Sequence, residues 1–203
     1  MMNNHTEKLA EFENKILSRR GFLGGFAAFA GACAISSPAF ASIPKFKASA
    51  LVKPARFLAF DNLHTGETTK VTYWEKGAYV KGALKEINHI LRDHRNDEVK
   101  RIDKKLLDQL FVLQNKLGSR APFQVISAYR SPASNAKMHE RSGGVAKKSM
   151  HMEGRAIDIR LKDVSLNNIR KAALAMNAGG VGYYPESQFV HIDTGKIRTW
   201  GGA

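Results

Sequence analysis

Two histidines and an aspartate in the C-terminal half of the sequence have the types and spacing of a metal site. His151 falls in a predicted turn just before a strand, and Asp158 lies within that strand. His191 lies in a second apolar strand, where its neighbours Val190 and Ile192 point to the opposite face. Two imidazoles and one carboxylate that converge on a point make a zinc site with three protein ligands and a fourth position for water. Structural histidines bonded to a buried aspartate would explain each piece separately, so the spacing alone leaves both interpretations open.

Three motifs around these residues resemble the signature of a metallopeptidase family. The first is Ser-x-His-x-x-Gly-x-Ala-x-Asp, which begins at Ser149. The second is Ser-Ala-Tyr-Arg-Ser at residues 127–131, and the third is Phe-Val-His-Ile-Asp at residues 189–193. In this order they resemble the motifs of the zinc D-Ala-D-Ala carboxypeptidases and their VanX- and VanY-like relatives, the LAS metallopeptidases.

The resemblance implies a role for several side chains. It implies one zinc ion, held by His151, Asp158 and His191. Arg130 would stabilise the negative charge that develops on the substrate oxygen, although an arginine here could also pair with a surface carboxylate. Ser149 and Tyr129 would contact the substrate, and a hydroxyl that caps a turn is the alternative for Ser149.

This sequence departs from the family pattern at the residue that would accept a proton during catalysis. Relatives commonly carry Glu or Asp three residues before the last histidine ligand, or His two residues before it. Here these positions are Gln188 and Phe189, which cannot accept a proton usefully. We expect Asp193 to be the catalytic base, because on a strand it shares a face with His191. The alternatives are that Asp193 orients a ligand histidine, or that Glu186 is the base.

The elements that position these residues predict an α+β fold. Helical periodicity and capping residues predict helices at about 79–93, 103–117, 134–141 and 165–177. Strands are predicted at 57–60, 71–74, 123–127, 156–160, 181–184 and 189–193. We expect a small antiparallel sheet with packed helices and with the zinc site on the sheet. The resemblance implies the arrangement of the hedgehog proteins and D-Ala-D-Ala peptidases.

The first 41 residues have the composition of an export signal. Ser-Arg-Arg-Gly-Phe-Leu at residues 18–23 leads into an apolar stretch rich in Gly and Ala, and Ala-Phe-Ala at residues 39–41 offers a cleavage site. The paired arginines resemble a twin-arginine signal, which predicts export to the periplasm. Lipidation at Cys33, the one cysteine of the chain, or retention of the leader are the alternatives.

The remaining chain is predicted to be a linker at 42–55 and one metallopeptidase domain at 56–203. No apolar run in this part approaches the roughly 20 residues that span a membrane, and we expect a monomer. The chain carries a formal net charge of +14. Such a charge attracts polyanions but does not identify which polyanion is the partner. The export signal and the lack of an aromatic-basic stacking pattern argue against nucleic acid as that partner.

The predicted function is zinc-dependent hydrolysis of peptide cross-links in peptidoglycan, an anionic polymer outside the cytoplasm. The sequence does not decide which cross-link bond is cut. A D,D- or L,D-carboxypeptidase acting on the same substrate is one alternative. A zinc-containing module that binds peptidoglycan without catalysis is another, and Gln188 in place of an acidic residue motivates it.

Overall fold

The structure is a computed structural model that describes residues 54–141 and 146–201. The predicted leader at 1–41 and most of the predicted linker lie outside the described residues. Among the residues described, no helix combines the length and the apolar character needed to cross a bilayer.

Eight strands, four α-helices and one 3-10 helix make up the described part of the chain. In chain order they are β1 (Arg56–Asn62), β2 (Thr68–Glu75), β3 (Ala78–Tyr79), α1 (Lys81–Ile90), α2 (Lys104–Lys116), β4 (Phe123–Ser127), α3 (Pro132–Arg141), the 3-10 helix (Met150–Glu153), β5 (Ala156–Arg160), α4 (Leu166–Leu174), β6 (Gly180–Tyr184), β7 (Phe189–Asp193) and β8 (Arg198–Gly201). Every strand and helix predicted from the sequence is present, while β3, β8 and the 3-10 helix were not predicted.

All eight strands form one mixed sheet, in the order β3-β2-β1-β4-β5-β7-β6-β8. β1 pairs in parallel with β4, and β6 pairs in parallel with β8. The α+β class is confirmed, but the sheet is larger than predicted, and it is mixed because two of its seven strand pairings are parallel. A parallel pairing needs a crossover connection, and between β1 and β4 the chain passes through α1 and α2.

The apolar periodicity of α2 shows why this helix forms where it does. Asp103 caps its first turn, since its carboxylate accepts a hydrogen bond from the N–H of Lys105 at 3.0 Å. Gly118 ends it with φ at 64°, a conformation that glycine adopts without strain. Leu106 and Leu110 are fully buried in the core between the helices and the sheet.

The register of the central strands sets the positions of the candidate ligands. β5 lies between β4 and β7, and Asp158 on β5 is directly opposite His191 on β7. The 3-10 helix that carries His151 leads straight into β5, and Gly154 ends it with φ at 66°. A side chain at Gly154 would meet the carbonyl oxygen of Arg101 at 2.6 Å, so the turn has no room for one.

Candidate metal centre

The three predicted metal ligands come together over β5 and β7. His151 Nε2 lies 3.2 Å from His191 Nδ1 and 3.3 Å from Asp158 Oδ1. His191 Nδ1 lies 2.8 Å from the same carboxylate oxygen, and all three side chains are buried. A tetrahedral zinc ion with bonds of about 2.0–2.1 Å has its ligand atoms roughly 3.3 Å apart. The donor types fit such an ion, and two of the three separations, 3.2 and 3.3 Å, match its geometry, while the 2.8 Å between His191 Nδ1 and Asp158 Oδ1 is that of a hydrogen bond.

The outer nitrogen of each histidine is held by a neighbouring group. His151 Nδ1 lies 2.6 Å from the carbonyl oxygen of Ala128. Because a carbonyl only accepts, Nδ1 donates and Nε2 keeps its lone pair for the ligand point. His191 Nε2 lies 3.0 Å from Asp193 Oδ2, which leaves Nδ1 as the ligand nitrogen of the neutral ring. Partners of this kind fix the tautomer and orientation of metal-binding histidines.

The surroundings of Asp158 and His191 shift the pKa values of both groups. Burial raises the pKa of the Asp158 carboxyl, but the adjacent rings of His151 and His191 outweigh it and hold that pKa well below its usual value. Burial lowers the pKa of His191, but Asp158 and Asp193 outweigh burial and raise it to about 9. In the absence of a cation His191 therefore keeps a proton at neutral pH, and a metal ion competes with that proton.

Asp193 lies behind His191, and both of its oxygens are engaged. Oδ1 accepts hydrogen bonds from the N–H groups of Gly180 at 3.0 Å and Gly195 at 2.8 Å. The guanidinium of Arg198 donates to Oδ1 at 3.1 Å and to Oδ2 at 2.6 Å. Burial alone would raise the pKa of Asp193, but His191, Arg198 and the two N–H groups hold it far below its usual range. This environment suits a carboxylate that orients His191, one of the two roles that the sequence left open.

A cavity of about 520 Å³ opens over the three ligands, and not every predicted site residue reaches it. Arg130 and Ser149 line it, whereas Tyr129 and Glu186 do not. Tyr129 is buried and donates its hydroxyl proton to the carboxylate of Glu98. Glu186 is exposed in the turn between β6 and β7. The structure thus does not bring Tyr129 or Glu186 to the ligands.

Arg130 is a buried cation with spare hydrogen-bonding capacity. Its Nη1 donates to Asn135 Oδ1 at 3.2 Å, and its buried Nε has no hydrogen-bond partner within the described part of the chain. Burial lowers the pKa of Arg130, and the negative charge of Asp158 acts against that shift. A buried guanidinium with an unpaired N–H can donate hydrogen bonds to an anionic group in the cavity. Ser149 both lines the cavity and caps the 3-10 helix, because its hydroxyl accepts from the N–H of His151 at 3.3 Å.

Several further residues of the cavity wall were not predicted, among them Glu153, Arg198 and Trp200. Glu153 lies within the first motif, two residues after His151, and that position was an available signal. Its carboxylate accepts from Arg155 at 3.0 Å, and its side chain is 56% exposed. Arg198 and Trp200 lie on β8, a strand of four residues with no apolar alternation from which it could be predicted. The Trp200 ring lies 5.1 Å from the His191 ring, between centroids.

Comparison with known proteins gives the family of this chain. The family described as "Peptidoglycan L,D-endopeptidase MepK" matches residues 50–200, which include every residue of the centre. The protein of that name from Escherichia coli (strain K12) is 48% identical over 178 residues, covering 88% of this chain and 93% of that protein. The protein of the same name from Shigella flexneri has the same values. "Probable peptidoglycan L,D-endopeptidase MepK" from Haemophilus influenzae is 40% identical over 148 residues, covering 72% of this chain and 80% of that protein.

The family match extends over the three motifs and over the strands that carry them. The family resemblance predicted from the motifs is therefore confirmed. The chain belongs to the MepK family of M15 peptidases.

Proposed function

We propose that this protein is a zinc-dependent L,D-endopeptidase that hydrolyses peptide cross-links in peptidoglycan. The observation that carries the proposal is the convergence of two imidazole nitrogens and one carboxylate oxygen under an open cavity, in a member of a peptidase family. The substrate and the L,D bond type follow the names of the relatives. The net charge of +14 suits an anionic wall polymer.

The metal would be held by His151, Asp158 and His191, since three protein ligands of these types are typical of catalytic zinc. When bound, zinc activates a water molecule near neutral pH and polarises the carbonyl of the scissile bond. Asp193 acts as a positioning residue, because it holds the outer nitrogen of His191 and is fully buried.

Arg130 binds the substrate oxygen on which negative charge develops. Its guanidinium lines the cavity, and its unpartnered Nε and its attraction to Asp158 support this assignment. Ser149 is the second contact to the substrate, through the hydroxyl that also caps the 3-10 helix.

Glu153 is the proton acceptor in this proposal. Apart from the ligand Asp158, it is the one carboxylate among the described residues that line the cavity. We expect Glu153→Gln to lower kcat by about 100-fold or more while zinc affinity stays unchanged, because general base catalysis contributes about 10²–10⁴-fold. Steady-state kinetics and chelator competition measure the two quantities. An unchanged kcat would remove Glu153 from the mechanism.

The export signal at residues 18–23 and the small residues at 39–41 support export to the periplasm by the twin-arginine route. In this proposal residues 42–55 link the leader to a single metallopeptidase domain at 56–203. Mass spectrometry of the protein recovered from a periplasmic fraction would give the cleavage point, with Arg19→Lys/Arg20→Lys as the variant that stays inside the cell.

The proposed function is tested by incubating the zinc-loaded protein with peptidoglycan sacculi. A chelator-treated sample and His151→Ala are run alongside, and the products are resolved by chromatography and mass spectrometry. We expect cross-linked dimers to fall and monomers to rise in the zinc-loaded native sample alone. The product masses identify the bond, and free terminal amino acids would indicate a carboxypeptidase instead. Binding to sacculi with every cross-link intact would favour the non-catalytic module.

A further inference from the structure

A second groove beside the metal centre has a cationic wall. It has a volume of about 330 Å³ and lies between α3 and the loop that follows α1. We call it the α3 groove. Its charged lining residues are Arg95, Lys137 and Arg141, and no carboxylate is among the described residues that line it. Lys137 and Arg141 are four residues apart, so they share one face of α3.

The α3 groove adjoins the cavity over the candidate ligands. Met138 lines both of them, and it lies on α3 next to Lys137. Arg95 also lies close to Arg130. Burial is the main cause that lowers the pKa of Arg130, and the positive charge of Arg95 lowers it further. Cationic side chains therefore stand in the walls of both the cavity and the α3 groove.

The cations of the α3 groove are poorly neutralised by the protein itself. Arg95 Nη1 lies 3.6 Å from Asp93 Oδ1, an oxygen that also accepts from the N–H of Arg95. Lys137 and Arg141 are exposed, and no described carboxylate pairs with either of them. Like charges four residues apart destabilise a helix by a few tenths of a kcal/mol, so the pair does not stabilise α3 by itself. An anion bound beside both side chains would offset their repulsion.

We propose that the α3 groove binds a carboxylate of the substrate peptide outside the scissile bond, and so helps to select anionic cross-linked peptides. The inference rests on the proposed endopeptidase function, because the groove lies next to the cavity where that bond would lie, with Met138 in the wall of both. Lys137 and Arg141 are the specificity residues, and they touch neither the ligands nor Arg130 in any contact of the described structure.

The test uses the full chain loaded with zinc and two soluble substrates. The substrates are cross-linked peptide dimers from peptidoglycan with free carboxylates, and the same dimers with those carboxylates amidated. The variant Lys137→Gln/Arg141→Gln is compared with Lys116→Gln/Lys171→Gln, which removes two exposed charges from α2 and α4. Chelator competition confirms that all three proteins hold zinc equally.

We expect the Lys137→Gln/Arg141→Gln variant to raise KM for the free-carboxylate dimers about five- to tenfold with kcat unchanged, since exposed ion pairs contribute modestly. Amidation should raise KM of the native protein to the same level and leave KM of this variant unchanged. The Lys116→Gln/Lys171→Gln control should behave as the native protein does.

An unchanged KM in the Lys137→Gln/Arg141→Gln variant, with the native protein active, would overturn the role of the α3 groove alone. Equal rises in both double variants would also overturn it, since they would reflect net charge. A native protein that cleaves neither dimer while holding zinc would instead contradict the proposed function.

Discussion

The carboxylate of Asp193 holds the His191 ring in its orientation from outside the cavity. Asp193→Asn keeps the shape of the side chain but removes the charge that pairs with His191 and Arg198. We expect zinc affinity to fall about 10–100-fold, as for other partners of ligand histidines, while kcat at saturating zinc is largely kept. Chelator competition and zinc-titrated activity measure the two effects.

The matched control for this change is Gln188→Ala. The Gln188 side chain donates to the carbonyl of Pro185 and does not line the cavity, so zinc affinity should stay as in the native protein. Normal affinity but lost activity in Asp193→Asn at saturating zinc would make Asp193 the proton acceptor instead.

The proton on His191 would couple the proposed zinc binding to pH. In the zinc-free protein, Asp158 and Asp193 raise the pKa of His191 to about 9, against burial. The ring is therefore charged at pH 7 and neutral well above pH 9, and zinc must displace a proton below that point. We expect zinc affinity to rise by up to about tenfold per pH unit up to the pKa. NMR titration of the zinc-free protein should place the His191 midpoint near 9, and a midpoint near the ordinary value would contradict this.

At the scale of elements, β8 places Trp200 against the centre because β6 leaves space for its ring. A Cβ on Gly182 would lie 2.7 Å from the Trp200 ring, which in turn lies beside His191. We expect Gly182→Ala to lower the free energy of unfolding by about 1–3 kcal/mol, as overpacking does, and to weaken zinc binding. Denaturant unfolding followed by tryptophan fluorescence, with chelator competition, checks both effects.

The control for this prediction is the same substitution at Gly82. Gly82 lies in α1 with nothing within 4 Å of an added Cβ, so alanine should be neutral or stabilise by about 0.5–1 kcal/mol. Equal losses at Gly82 and Gly182 would show that contact with Trp200 is not the cause.

At the scale of the whole molecule, the ligands reach one point only when the sheet is assembled. His151 lies on the 3-10 helix, Asp158 on β5 and His191 on β7, so the unfolded chain offers no preformed site. Zinc should therefore stabilise the fold, by about 2.7 kcal/mol at a concentration 100 times its Kd. Thermal unfolding across a zinc series measures this. The rise in Tm should vanish in His151→Ala, and a rise that persists there would place the ion elsewhere.

The sequence by itself determined the family, the α+β class and most of the elements. Capping residues such as Asp103 and Gly118, and apolar periodicity, act within a few residues of the chain, so local patterns report them. The three motifs also contain all three residues that the structure brings together, because the types of a metal-binding set are visible without coordinates.

Only the tertiary structure decided which residues share the cavity and how the sheet is completed. Tyr129 stands next to Arg130 in one motif, yet its side chain turns to Glu98 while Arg130 lines the cavity. β8 is too short for a pattern, and its parallel pairing with β6 depends on contacts between distant segments. The surroundings of Asp193 likewise come from Gly180, Gly195 and Arg198. Neither pairing nor burial of this kind is encoded in local periodicity, so these features required the fold itself.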